Sequence, residues 1–168
     1  LTYTSNGSTV TTEQNSATPA VSDSKNVRTD RQGNTYWLFD RTGVLKRNSA
    51  GVTVWTVRIP TDDTAHEARA LFVDVDDRVY AAISTGGAQS TAKMVSWRQL
   101  ADNKTELVWE LALGAYVEEI TGKGGKLYTV QNKPDTGLAE VVVYGNYTVA
   151  DPTEIDRFPT AFPANGMD

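Results

Sequence analysis

The residues able to do chemistry are few and scattered. The one histidine, His66, lies between Asp62-Asp63 and Glu67. A Ser-His-Asp relay needs its base held by a buried carboxylate and facing an activated serine, and no Gly-x-Ser-x-Gly elbow presents one. His66 therefore reads as a solvated residue in a connecting loop. A histidine metal centre lacks partners. With no cysteine in the 168 residues, thiolate metal sites, disulfides and thiol nucleophiles are excluded. Asp74, Asp76 and Asp77 form the densest carboxylate cluster. Calcium binding of the EF-hand kind needs more oxygen ligands at fixed spacing and a closing glutamate, which this stretch lacks. Turn chemistry already explains aspartate at these positions, as it does Asp30 and Asp40 beside Gly43. Two of these carboxylates brought together in space would suit glycoside hydrolysis, but nothing in the sequence pairs them. Gly122-Lys123-Gly124-Gly125-Lys126 lacks the Gly-Lys-Ser/Thr of a phosphate loop and opens a strand, where a phosphate loop opens a helix. No catalytic, cofactor-binding or metal-binding residue is assigned, and no cofactor is expected.

Composition narrows the partners. A net charge of −5 lacks the basic footprint of a nucleic-acid or anionic-membrane binder. No apolar run approaches the ~18 residues of a membrane span. Leu1 in place of an initiator methionine implies a processed chain or an excised piece. Three glycosylation sequons begin at Asn6, Asn103 and Asn146. They matter only in a source that glycosylates secreted proteins.

The elements that must position these residues repeat. Tyr36, Tyr80 and Tyr128 stand 44 and 48 residues apart, inside the ~40–50 residue period of propeller blades. Six residues before each tyrosine come Asp30, Asp74 and Gly122; three before it come Gly33, Asp77 and Gly125. Glycine and aspartate at the latter position suit a tight hairpin needing positive φ. An apolar run follows each tyrosine, then a second run at Val44-Leu45, Met94-Val95 and Val141-Val142-Val143. In the last strand of each copy, Trp55, Val57 and Ile59 alternate, as do Leu107, Trp109, Leu111 and Leu113, the pattern of a half-buried strand. The third copy keeps only Arg157-Phe158-Pro159, with Glu154 where tryptophan is expected. Trp55 and Trp109 are expected to be buried between sheets, whereas Trp37 and Trp97 have a route to the surface. Strands are expected near 35–39, 52–59, 70–73, 79–83, 93–99, 106–113, 126–131 and 140–144, with no helix of useful length.

The first copy, through Asp30, Gly33, Asn34 and Tyr36, resembles the blades of NHL-type and related six-bladed β-propellers. The resemblance covers about 26–159 and weakens from copy to copy. It implies an all-β, propeller-like array of about three four-stranded antiparallel blades, at 26–62, 68–113 and 115–159. These follow an extended or flexible Ser/Thr-rich arm at 1–25 and precede an irregular tail at 160–168. A β-sandwich is the alternative that fits the same strands. Three blades do not close a ring, which takes about four to eight, so partners are expected to be other protein chains: copies of this one or further blades. Blades of this kind look like those of extracellular assemblies, including bacteriophage virion proteins of the tail or head. The expected role is therefore a non-enzymatic structural or interaction module, extracellular or in a virion. The alternatives are an adhesin or carbohydrate-binding propeller, and a fragment of a propeller hydrolase or lyase.

Overall fold

The computed structural model describes residues 2–5, 8–11, 26–39, 43–59, 66–85, 92–132, 137–148 and 151–163. They form three four-stranded antiparallel sheets and one two-stranded hairpin. Sheet I holds β3 (Val27–Thr29), β4 (Thr35–Phe39), β5 (Gly43–Arg47) and β6 (Thr53–Arg58), after the hairpin of β1 (Thr2–Ser5) and β2 (Ser8–Thr11). Sheet II holds β7 (His66–Val73), β8 (Val79–Thr85), β9 (Ala92–Gln99) and β10 (Thr105–Leu113). Sheet III holds β11 (Tyr116–Lys123), β12 (Lys126–Asn132), β13 (Leu138–Gly145) and β14 (Thr153–Pro163). Each is a meander in chain order. Helical structure among the described residues is one short 3-10 turn, Ala101–Asn103.

The sheets stack through their faces. In sheet II, Val79, Ala81 and Ile83 join Val95 and Trp97 in one core with Tyr36, Leu38, Val44, Trp55 and Val57 of sheet I. The alternate residues Tyr80 and Ala82 join Met94 and Trp109 in a second core with Ile120, Leu127, Val142 and Tyr144 of sheet III. Because side chains alternate along a strand, a sheet buried on both sides has no polar position to spare. Val79 to Ser84 are accordingly all buried. The first strands gather at one edge: β7 packs beside both β3 and β11, and Arg28 of β3 reaches Glu119 of β11 at 2.6 Å. That half-exposed pair adds little stability, about 0–1 kcal/mol, but it brings sheets I and III within one side chain's reach. The rims of sheets I and II are joined by β2, which lies beside β6 and β10.

Several expectations need correction. His66, expected in a loop, begins β7 and pairs with Thr85. The tail expected to be irregular from 160 continues β14 to Pro163. This edge strand tolerates Pro159 and Pro163 because a missing N–H is harmless where no further strand pairs. Trp97 is 1% exposed, enclosed between sheets I and II. Leu107 does not share the face of Trp109: a bulge between them inserts one residue, which turns Leu107 toward sheet I while Trp109 faces sheet III. Within 1–25, β1 and β2 pair in a hairpin, Tyr3 opposite Val10; the rest of that segment lies outside the described residues, as does Asp40.

Candidate interaction faces

The repeated aspartates are staples within turns. Asp30 Oδ1 accepts the backbone N–H of Gln32 at 3.0 Å and of Asn34 at 2.9 Å. Its Oδ2 accepts from the Asn34 amide at 2.7 Å and the Tyr36 hydroxyl at 3.0 Å. Asp74 repeats this with the N–H groups of Asp76 and Arg78 and the Tyr80 hydroxyl at 2.8 Å. The turn residues Gly33, Asp77 and Gly125 all carry positive φ, 79°, 60° and 75°. In sheet III the staple is replaced. A Cβ on Gly122 would come within 2.5 Å of the Phe72 ring, and that ring stacks on Tyr80.

Burial pulls the Asp30 carboxyl up, but its hydrogen bonds from Asn34, Tyr36 and Gln32 outweigh burial and hold it below the ordinary 3.8. A depressed carboxylate contributes stability that is present above its unfolded value and lost as pH falls through the folded one. Acid titration of stability should therefore show a loss below about pH 4 that shrinks in Asp30→Asn. Asp77 has the opposite sign. Burial first, then the charge of Asp30, push its carboxyl up against the pull of Lys46. Asp77→Gly should raise stability by about 0.5–1 kcal/mol, the left-handed cost of a Cβ less the extra chain entropy of glycine; urea midpoints measure it. Among the described residues no three His, Cys, Asp or Glu side chains converge to hold a metal ion.

A groove of about 470 Å³ between β10 and sheet III is lined by Gln131, Glu140, Tyr144, Glu154 and Arg157. Arg157 is tied to Glu140 at 2.5 Å and to both oxygens of Glu154 at 2.9 and 2.8 Å. The Gln131 amide donates to Tyr144 and Thr129. Arg157 ties β14 to β13 and Gln131 ties β12 to β13, and none of these groups is paired as a nucleophile with a base. Two of the sequon asparagines also have a turn role: Asn103 and Asn146 hold φ of 59° and 57°, a conformation asparagine tolerates better than most residues.

The inter-sheet contacts repeat in detail. In register, Tyr36 lies opposite Lys46 and Lys46 opposite Trp55, forming one row; Tyr80, Ser96 and Trp109 form the next. Each tryptophan reaches the following sheet. The Trp55 indole donates to Gln99 Oε1 at 3.2 Å, beside Lys46 Nζ at 2.8 Å, and the Trp109 indole to the Tyr147 carbonyl at 2.7 Å. The third row is Tyr128, Val143 and Asp156. Asp156, not Glu154, thus takes the tryptophan's place: Arg157 lies opposite Val142 as Thr56 lies opposite Leu45, so Arg157-Phe158-Pro159 does not align with Arg58-Ile59-Pro60.

Among the described residues, two faces have no sheet packed on them, although Leu45 and Phe39 of the sheet I face are already buried. On sheet III the Tyr128 face also bears Val130, Val141 and Phe158, which share a row. Phe158 is 50% exposed where its counterpart Val57 is 1%. On sheet I the Thr35 face bears half-buried Trp37, whose indole donates to Thr35 Oγ1 at 3.0 Å, and Arg47 opposite Thr35. The outer flanks of the first and third copies were expected from the sequence to need covering, but not the residues they bear, since a strand's alternation does not say which side a neighbour takes.

No protein-family model matches the chain, and no curated protein matches it. Among solved structures the chain is similar to a protein of unknown function from Bacteroides caccae, with a TM-score of 0.55 at 10% sequence identity. The likeness covers 82% of this chain and 46% of that one, so this chain spans about half of that structure's length. At that identity the likeness is one of fold alone.

Proposed function

We propose that the chain is a three-blade segment of a β-propeller, acting as a rigid, non-enzymatic docking scaffold in a larger extracellular or virion assembly. The observation that carries this reading is the repetition of one interface. The Tyr36 face of sheet I packs on sheet II, and the Tyr80 face of sheet II packs on sheet III. The Tyr128 face of sheet III repeats the outgoing half of that contact, with Phe158 half exposed and no sheet among the described residues against it. Apolar faces of this kind are covered in working proteins. The carboxylates of the turns are engaged as staples, which leaves the faces as the chemistry on offer. Sedimentation of material from the native source, followed with an antibody to this chain, tests the reading. The chain should travel with a large particle in fixed stoichiometry and resist a salt wash. Recovery as a free, low-mass species would reject it.

A further inference from the structure

We infer that the groove between β10 and sheet III is a binding site for a short, neutral saccharide. The departures from the repeat come first. Pairing places Gln131 opposite Glu140 as it places Ile83 opposite Lys93, and Tyr144 opposite Leu127 as Trp97 opposite Val79. Glu154 lies opposite Tyr144 as Leu107 lies opposite Trp97. Sheet II therefore has Ile83, Trp97 and Leu107 packed toward sheet I where sheet III has an amide, a phenol and a carboxylate. Those three side chains line the groove. Arg157 is no such departure, because its tie to Glu140 repeats that of Lys93 to Glu110 at 2.7 Å with the charges exchanged.

The exchange goes with an opening in the stack. In the first core Val57 and Ile59 of sheet I are each 1% exposed. Their counterparts in sheet II, Leu111 and Leu113, are only half-buried and form the apolar wall of the groove. Its volume of about 470 Å³ falls within the ~300–1,000 Å³ of small-molecule sites. Packing requires neither the polar exchange nor the gap, since the first interface has neither. A place where a repeat breaks its own rule in this way marks function.

The lining selects the ligand. Gln131 is 3% exposed and donates its amide N–H groups to Tyr144 at 2.8 Å and Thr129 at 2.9 Å. Its Oε1 accepts no hydrogen bond among the described residues. A purely apolar ligand would seal that oxygen from water at a cost, whereas a ligand hydroxyl satisfies it. Arg157 is held between the carboxylates of Glu140 and Glu154, so the groove offers an anion no unpaired positive charge and two negative ones. Leu111 and Leu113 on the other wall call for C–H surface. Donating hydroxyls, no negative charge and an apolar ring face together describe a sugar.

Heteronuclear NMR of the 168-residue chain tests this. The titrants are glucose, galactose, mannose, N-acetylglucosamine, maltose, cellobiose and lactose, with trialanine as the peptide comparison. The Gln131 side-chain amide is identified by its loss in Gln131→Ile, which restores the residue type of sheet II. At least one sugar should shift that amide and the backbone amides of residues 111–115 saturably, with a Kd of about 10 mM or tighter. Tyr144→Phe removes the oxygen that holds the Gln131 amide in place. It should weaken binding about tenfold, as should Gln131→Ile, both with an unchanged circular-dichroism spectrum. Tyr144→Phe carries the test alone if Gln131→Ile does not fold. No saturable shift from any of the sugars overturns the site. Shifts left undiminished by the variants place binding elsewhere and overturn it equally, and saturation by trialanine in place of the sugars overturns the saccharide. The scaffold reading is untouched by these outcomes and is decided by sedimentation.

Discussion

Trp109→Ala should lose about 3–5 kcal/mol of folding stability, the range for emptying a buried aromatic site. Trp109 is 3% exposed, lies 5.9 Å from the Tyr80 ring and donates its indole N–H to the Tyr147 carbonyl. Truncation opens a cavity between sheets II and III and leaves that carbonyl without its donor. Trp109→Phe separates the two effects: it keeps most of the apolar volume and should cost about 1–2 kcal/mol, near the value of one lost hydrogen bond with some packing. Urea denaturation of the three proteins measures both. An alanine variant within about 1 kcal/mol of wild type would place this face in solvent and remove the repeated interface on which the scaffold role depends.

Asp74→Ala is expected to cost about 2–4 kcal/mol, combining a lost cap of the turn with a tyrosine hydroxyl left unsatisfied in the core. The Tyr80 hydroxyl, at 2.8 Å from Asp74, belongs to a fully buried residue. Burial and the hydrogen bond to Asp74 push its ionisation well above the ordinary tyrosine value, so it stays a neutral donor throughout the physiological range. Tyr80→Phe removes that donor. The double variant Asp74→Ala/Tyr80→Phe should lose less than the two single losses together, by about 0.5–3 kcal/mol, as for residues in direct contact. Strict additivity in denaturant melts would show that the staple and the core do not communicate.

The turns and the repeat were legible along the chain. Asp30 and Tyr36, like Asp74 and Tyr80, are six residues apart, and every bond of the staple closes within six residues. Such local hydrogen bonding fixes backbone shape without help from the rest of the chain. Gly33, Asp77 and Gly125 have positive φ for the same local reason. Burial of Trp55 and Trp109 was legible too, from their alternation with neighbouring apolar residues.

Only the tertiary structure decided which side each residue serves. A bulge adds one residue to one strand and reverses every side chain beyond it. Leu107 parts from Trp109 in this way, and the last strands of sheets I and III carry a bulge at the equivalent place. Asp156, not Glu154, stands on the Tyr128 row because strand pairing, not the Arg-x-Pro triplet, sets the register. Trp97 gave no sign of its burial for a related reason: its exposure depends on sheet I, whose strands lie about 40 to 70 residues earlier. Arg47 and Asp156 draw no notice along the chain. Pairing between strands places Arg47 on the Thr35 row and Asp156 on the Tyr128 row, because a row across a sheet joins residues that lie far apart in sequence.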